Sequence, residues 1–241
     1  FYKWCWNAAM QDAGYFSCAQ ISCINQNYND ALHEVDKSLV RNWHNHKARA
    51  LKTTILRKMG QENAALNLIE DSLKIDLFNF GCRFEKYLLT GFAGDLAEMH
   101  NYMRGEIHNY EIVALDYIAA GMYSEAVSIL EEGAKVCSSL PSPQGEGARR
   151  AGTTPMTYYY MGWALYLDGK NSHLAFAKAA AHAPEFCFPN RLEAILALEC
   201  AQAINPNDAK APYYLGNLWY DKRQYTEAVK CWEKSVAIDD A

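Results

Sequence analysis

The stretch "YYLGNLWYDKRQYTEAVKCW", from Tyr213 to Trp232, decides the fold. Gly216 follows Leu215 directly within a helical pattern, and a second small residue, Ala228, comes 12 positions later. An interior Gly costs a helix about 1 kcal/mol relative to Ala, so something must need the missing side chain. The simplest explanation is another helix that packs closely against Gly216, because small residues let two helix backbones approach.

The same spacing of small residues recurs along the chain. The other pairs are Ala19 with Ala31, Thr53 with Ala65, and Ala114 with Ala126. A longer period accompanies it, because the segment from Asn27 matches the segment from Gln61 at an offset of 34 residues. The same offset places Ala194 over Ala228. Two unrelated segments with one period predict a row of helical hairpins.

Composition limits the classes of partner. The chain has 241 residues, 50% of them hydrophobic, and a net charge of −5, which disfavours nucleic acid or an anionic membrane as a partner. The eight cysteines contain no C-x-x-C pair, so we interpret them as reduced core thiols and expect a cytoplasmic protein. The opening "FYKWCWNAAM" has neither an initiating Met nor a signal-peptide pattern, so we expect a fragment of a larger protein.

Two motifs resemble the tetratricopeptide repeat (TPR), a helical hairpin of about 34 residues. They are "YYLGNLW", with Leu215, Gly216 and Trp219, and "YTEAVKCWEKS", with Tyr225, Ala228, Trp232 and Ser235. The resemblance implies an all-α, right-handed solenoid of antiparallel helical hairpins. It also implies a non-catalytic protein–protein interaction scaffold that needs no cofactor and holds a protein or peptide segment in a concave groove.

Some regions depart from this pattern. Residues 78–104 give two short apolar patches and predict a degenerate hairpin. Leu174 stands where the pattern expects Ala, and "HAPEFCFPN" predicts an extra helix or a loop excursion. The Ser-, Pro- and Gly-rich stretch 138–154 predicts a loop or boundary between helical repeats at 1–137 and at 155–241.

Catalytic and metal sites are not indicated. His44 and His46 are spaced by two, which points them to different faces of a helix, and no Cys or carboxylate nearby completes a ligand set. We interpret them as capping or interhelical residues. The chain contains no G-x-S-x-G, phosphate-loop or H-E-x-x-H motif, so we expect no enzyme activity.

The tyrosine-rich helices are the candidate binding surface. In the TPR family the first helix of each unit lines the groove, and the equivalent positions here are Tyr159, Tyr160, Trp163, Tyr166, Tyr213, Tyr214, Asn217 and Tyr220. Packing between helices explains these residues equally well. The ligand-facing interpretation has one point in its favour, because a single helix cannot bury three consecutive tyrosines on one face.

The family also binds peptide C-terminal carboxylates, with a Lys and, four residues on, an Asn in the first helix. The equivalent pairs here do not fit; they are Phe16 and Gln20, Ala50 and Thr54, Glu111 and Leu115, Tyr159 and Trp163, and Tyr213 and Asn217. The sequence therefore argues against a receptor for chaperone tails.

A narrower resemblance concerns large bacterial proteins in which a mutarotase-like β-sandwich region precedes TPR helices. Segments such as "NWHNHKARALKTTILRKMG" and "CFPNRLEAILAL" carry it, and it implies a carbohydrate-linked context or contact with another domain of the same protein. A second alternative, the helical toroid of a glycoside-processing enzyme, needs two inward carboxylates, and the candidate helices offer only Glu111 and Asp221. The last helix predicts an exposed apolar edge and, with it, self-association.

Overall fold

The computed structural model describes residues 1–139, 152–184 and 187–239. Its first helices are α1 (Gln11–Ile24), α2 (Tyr28–Arg41), α3 (His46–Lys58), α4 (Glu62–Ile75), α5 (Phe80–Thr90), α6 (Ala93–Met103) and α7 (Ile107–Ala119). They are followed by α8 (Tyr123–Ser139), α9 (Pro155–Leu167), α10 (His173–Ala181), α11 (Glu193–Ile204), α12 (Lys210–Asp221) and α13 (Tyr225–Asp239). Two 3₁₀ turns, Trp4–Trp6 and Ala8–Met10, precede them. The predicted all-α helical-repeat fold is confirmed.

A repeated turn joins the helices. Within the described residues the second residue after a helix has a positive φ in six places; they are Gln26, Gly60, Gly105, Gly121, Gly169 and Arg223. This left-handed conformation ends a helix and reverses the chain, and glycine adopts it at the lowest cost. The turn after α5 differs, because Gly91 takes the left-handed conformation directly after the helix. Gln26 and Gly60 are 34 residues apart, which is the period read from the sequence, whereas the later turns are unevenly spaced.

The chain divides into two compact units, Phe1–Met122 and Tyr123–Ala241. In the first unit α1 pairs with α2, α3 with α4, and α5 with α6, while α2 also packs on α3 and α4 on α5. The predicted degenerate hairpin is the short pair α5 and α6. Asparagine side chains begin three of these helices, since Asn27, Asn45 and Asn79 each accept a main-chain N–H three residues on.

In the second unit α8 packs on α9, α9 contacts both α10 and α11, and α12 pairs with α13. Five residues, 168–172, separate α9 from α10, whereas three separate α12 from α13. The turn before α10 is two residues longer, and the buried Ala175 is the third residue of α10 whereas Ala228 is the fourth of α13, so the register shifts by one residue. Ala175 therefore takes the buried position expected for residue 174, and Leu174 is 69% exposed.

The predicted boundary at 138–154 lies mostly outside the described residues, which stop at 139 and resume at 152. The division between the compact units falls earlier, before Tyr123, because α8 packs on α9. None of the helices in the described ranges is long and apolar enough to cross a membrane.

Gly216 lies where a partner helix crosses, as its position in the sequence predicted. A Cβ atom on Gly216 would approach the Trp232 ring to 2.4–2.5 Å and the Ala228 carbonyl oxygen to 3.1 Å. Both residues belong to α13. Gly162 has the same role in α9, since a Cβ there would approach the Phe176 ring of α10 to 2.5 Å.

Candidate functional site

A cavity of about 110 Å³ lies on the first-helix face of the first unit. Helices α1, α3 and α7, together with the start of α5, supply its walls. Phe16 and Gln20 come from α1, and Ile112 and Asp116 come one turn apart from α7. These residues belong to the first helices of hairpins, so the cavity lies between first helices of the first unit.

Small residues keep this cavity open. Ala50 of α3 and Gly81 of α5 both line it. A Cβ on Gly81 would lie only 2.7 Å from the Cβ of Ala50, so the two helices touch closely there. Neither residue has a side chain that could fill the space above the contact, and the larger Leu51 and Val113 are buried. The result is a recess with largely apolar walls.

A buried carboxylate lies beneath the recess. Glu85 of α5 is fully buried and accepts hydrogen bonds from the Thr54 hydroxyl at 2.9 Å and the Tyr117 hydroxyl at 2.7 Å. The Arg57 guanidinium donates to both of its carboxylate oxygens, at 2.6 and 3.2 Å. A buried charge needs such pairing and hydrogen bonding. The network joins α3, α5 and α7, and Thr54 and Tyr117 carry it up to the cavity wall.

An ion pair lies at the mouth. The Lys47 ammonium of α3 is 2.6 Å from an Asp116 carboxylate oxygen of α7, and the two side chains are 41% and 37% exposed. A pair this exposed contributes about 0–1 kcal/mol to stability. It nevertheless fixes one positive and one negative group beside the opening.

Aromatic rings extend the wall on the side of α5 and α6. Phe78, which lines the cavity and is more than half exposed, lies with its ring centroid 6.2 Å from that of Phe80 and 5.8 Å from that of Tyr102. The Arg83 guanidinium lies 3.9 Å from the Tyr102 ring centroid, a cation–π contact. The rings of Phe80 and Tyr102 therefore hold the exposed Phe78 ring in place, as a contact surface requires.

The structure separates the eight aromatic-site residues predicted in the second unit. Tyr159, Tyr160 and Tyr214 are buried, so their rings serve helix packing. The rings of Tyr159 and Tyr214 meet edge to face at 6.1 Å. The packing alternative weighed from the sequence therefore describes these three residues.

The other five keep some exposure but do not share one recess. Tyr166 and Tyr220 are 52% and 56% exposed, and Trp163 and Asn217 are half-buried. Asn217 accepts a hydrogen bond from the Trp232 indole at 3.2 Å. The ring centroid of Tyr220 lies 5.7 Å from that of the same indole. Both therefore face α13.

Tyr213 borders a separate depression. The loop before α12 and Ala180, Pro184, Ser235 and Asp239 complete the walls of that depression. The five exposed or half-buried residues remain a candidate surface, but the structure does not join them into one groove.

Tyr159 has a structural partner. Its hydroxyl donates to the buried Asp208 carboxylate at 2.8 Å, and the other Asp208 oxygen accepts the main-chain N–H groups of Lys210 and Ala211. Asp208 thereby caps the start of α12. Burial, with the nearby Asp208 charge, raises the pKa of Tyr159 far above its usual range.

Histidine and cysteine show no assembled metal site. The described residues contain no group of three or more His, Cys, Asp or Glu side chains that could hold a metal ion. The ring centroids of His44 and Trp43 lie 3.9 Å apart with the rings tilted at 46°, and exposed His46 begins α3 and lines the cavity. Burial raises the pKa of the Cys18 thiol to about 11 and that of Cys23 to about 12, so both stay protonated.

No protein-family model and no curated protein matches the chain. Among solved structures, a MamA fragment from Desulfovibrio magneticus RS-1 is 14% identical over 95% of each chain, with a TM-score of 0.31. TTC0263, a thermophilic TPR protein of Thermus thermophilus, is 15% identical over 94% of this chain and 90% of its own, with a TM-score of 0.30. Human IFIT1, as a dimer with PPP-AAAA, is 12% identical over 97% of this chain and 64% of its own, with a TM-score of 0.38. Likenesses this weak carry no information about the site.

Sequence reasoning missed the first-unit cavity. The sequence marks Phe16, Gln20, Ala50 and Thr54 only as positions that do not match a terminal-carboxylate site, yet all four line the cavity. The signal that could have found it was the pairing of small Ala50 with small Gly81 among larger apolar residues.

Proposed function

We propose that this chain is a non-catalytic interaction module that holds an extended segment of a partner protein in the first-unit cavity. The observation that carries the proposal is the cavity itself, which lies on the inward face of successive first helices. Helical-repeat proteins present such faces as binding surfaces. An extended segment also fits chemically, because it offers side chains for a recess together with a main chain for the rim.

Three of the polar side chains around the cavity, those of Thr54, Asn79 and Tyr117, already form hydrogen bonds within the protein. Thr54 and Tyr117 donate to Glu85. The Asn79 amide donates to the His46 carbonyl oxygen at 3.1 Å and accepts from the Cys82 N–H. These bonds hold α3, α5 and α7 together. The cavity therefore offers a shaped surface for contact, which favours binding over chemistry.

We retain the exposed aromatic residues of the second unit as a second contact surface. Tyr213, Tyr220 and Tyr166 present a large apolar ring with a polar tip, which suits a surface that is wet when free and buried when bound. A sugar-like ligand is the alternative occupant there, in line with the carbohydrate-linked context that the narrower resemblance implies. A cytoplasmic, bacterial setting and a larger parent protein also remain part of this proposal.

The test is selection of peptides that bind the purified chain from a displayed library of random 12-residue sequences. Ile112→Trp fills the cavity from α7, where Ile112 is half-buried. The matched control is Leu66→Trp, which makes the same kind of change at a half-buried position of α4 away from the cavity. Circular dichroism establishes that both variants keep their helices.

We expect the selected peptides to bind the wild type and the control equally, and to lose at least tenfold in affinity for Ile112→Trp. Peptides that bind all three proteins alike would place recognition outside this cavity, and a library that yields no binder would count against the function itself. Mixed mono- and oligosaccharides, tested on the same proteins and on Tyr213→Ala, examine the alternative.

A further inference from the structure

The next inference rests on the proposed function. We infer that the cavity takes an uncharged, apolar side chain from the interior of a partner segment, and that the Gln20 amide hydrogen-bonds the partner's main chain beside it. The ligand class is therefore an internal apolar motif. A charged side chain or a free chain end does not fit.

The charges around the cavity disfavour a charged ligand group. Each charged side chain that takes part in or supports the cavity wall has an opposite charge in contact with it. Lys47 lies 2.6 Å from Asp116, and Arg57 lies 2.6 Å from Glu85. A charged ligand group would lose its hydration on entering and would have to compete for a counter-charge that is already engaged. An uncharged group avoids both costs.

The size and the apolar walls of the cavity suit an apolar side chain. Phe16, Leu51, Ile112 and Val113 supply apolar wall, and apolar surface that leaves water on binding stabilises the complex. A water molecule needs about 10–15 Å³ of cavity volume. A cavity of about 110 Å³ therefore has room for a group as large as several waters. A large aliphatic or aromatic side chain is of that size.

The Gln20 amide is suited to bind a peptide main chain. This half-buried side chain of α1 lines the cavity and makes no hydrogen bond to the part of the chain that the structure describes. Its amide has both donor and acceptor atoms, and each residue of an extended segment offers one N–H and one C=O. Pairing with a main chain satisfies Gln20 without selecting a particular side chain. The apolar recess then supplies the selectivity.

The experiment uses two displayed libraries of random 12-residue peptides, one with a free C-terminus and one with both ends joined to the carrier. The variants of the purified chain are Gln20→Ala and, as the matched control, Gln61→Ala. Gln61 is exposed in the same unit, precedes α4 and makes no side-chain cap. Affinities of selected peptides are measured at about 50 and 500 mM NaCl, a range that screens exposed charges strongly.

We expect both libraries to yield peptides with a shared Leu, Ile, Met or Phe position. Replacement of that residue by Glu or Lys should abolish binding. Gln20→Ala should weaken binding about 2–10-fold, as expected for one hydrogen bond, and Gln61→Ala should leave it unchanged. The affinity should vary less than about threefold with salt, because the recess holds no charged ligand group to be screened.

Binders that come only from the free-end library, or that share an acidic or basic position and weaken steeply with salt, would overturn this inference while leaving the proposed function in place. Equal binding by Gln20→Ala and wild type would remove Gln20 from the site. If neither library yields a binder that depends on the cavity, then the proposed function and this inference fail together.

Discussion

Each compact unit buries a carboxylate that accepts a hydrogen bond from a tyrosine, and the two units use it differently. In the first unit Tyr117 donates to Glu85 at 2.7 Å, and Glu85 is also paired with Arg57. In the second unit Tyr159 donates to Asp208 at 2.8 Å, and Asp208 accepts two main-chain N–H groups at the start of α12. One carboxylate balances a cation between helices, and the other caps a helix.

The neighbouring side chains differ as well. Around Glu85 the wall includes Ala50 and Gly81, which leave a recess. Around Asp208 the rings of Tyr159 and Tyr214 pack edge to face and fill the space. Aromatic residues on first helices therefore mark good packing as readily as a binding face. A recess forms where the inward side chains are small and the polar groups beneath them are satisfied.

The largest expected effect is at Glu85. Glu85→Ala removes the acceptor for Thr54, Arg57 and Tyr117, and loss of one partner of a buried ion pair costs about 3–5 kcal/mol. Asp208→Ala should cost less, roughly 2–3 kcal/mol, for a lost cap and one tyrosine bond. Urea unfolding followed by circular dichroism measures both costs, and hydrogen exchange at α3 and α12 assigns each to its unit.

A double variant separates the pair's charge from its packing. Replacing both Arg57 and Glu85 by Leu should recover part of the loss, because no unpaired charge then remains buried. If Glu85→Ala costs under about 1 kcal/mol, or if Asp208→Ala costs more than Glu85→Ala, the contrast between the two carboxylates is wrong.

The fold was predictable where local spacing fixes a contact. Gly216 and Ala228, 12 residues apart, correctly indicated a helix crossing. The 12-residue spacing predicts a small buried residue at position 174, whereas the longer turn at 168–172 places Ala175 in that buried position and exposes Leu174. Hydrophobic periodicity indicates which residues of a helix are buried, but it does not indicate how many residues the turn between two helices contains.

The candidate site was much less predictable. Helix α9 is apolar on nearly all sides, so its pattern could not show which tyrosines face inward. Burial of Tyr159 depends on Asp208 and Tyr214, about 50 residues away in sequence. The first-unit cavity likewise forms only when α1, α3, α5 and α7 pack together, so the sequence of any one of these helices does not predict it.

The two helix-crossing glycines give the next effect. Leu at either position overpacks the contact, at a cost of about 1–3 kcal/mol. Gly162→Leu should lie near the upper end, because the opposing Phe176 ring is fully buried. Gly216→Leu should lie near the lower end, because the half-buried Trp232 indole can move outward. Urea unfolding of both variants gives the comparison.

The control is Ala64→Leu, which introduces the same side chain at an exposed position within α4. Its free energy of unfolding should be within about 0.5 kcal/mol of the wild-type value. A neutral Gly216→Leu would mean that α13 does not need the close approach. If Gly162→Leu and Gly216→Leu lower the free energy of unfolding equally, burial of the opposing ring does not determine the size of the effect.

The smallest effect should come from the ion pair at the cavity mouth. Because Lys47 and Asp116 are 41% and 37% exposed, Lys47→Met, Asp116→Asn and the double variant should each change the free energy of unfolding by less than about 1 kcal/mol. The double-mutant cycle should give a coupling energy of about 0.2–1 kcal/mol that shrinks in high salt.

The same three variants test the charge balance that distinguishes the first-unit recess. Lys47→Met leaves a negative mouth and Asp116→Asn a positive one, so at low salt they should favour peptides with Lys and with Glu, respectively, next to the apolar residue. The double variant restores a neutral mouth and should bind like wild type. None of these changes should unfold the helices, so a change in binding by a variant of unaltered stability can be assigned to the charges at the mouth. A loss of binding in all three variants would show that Lys47 and Asp116 contact the ligand directly, beyond balancing each other's charge.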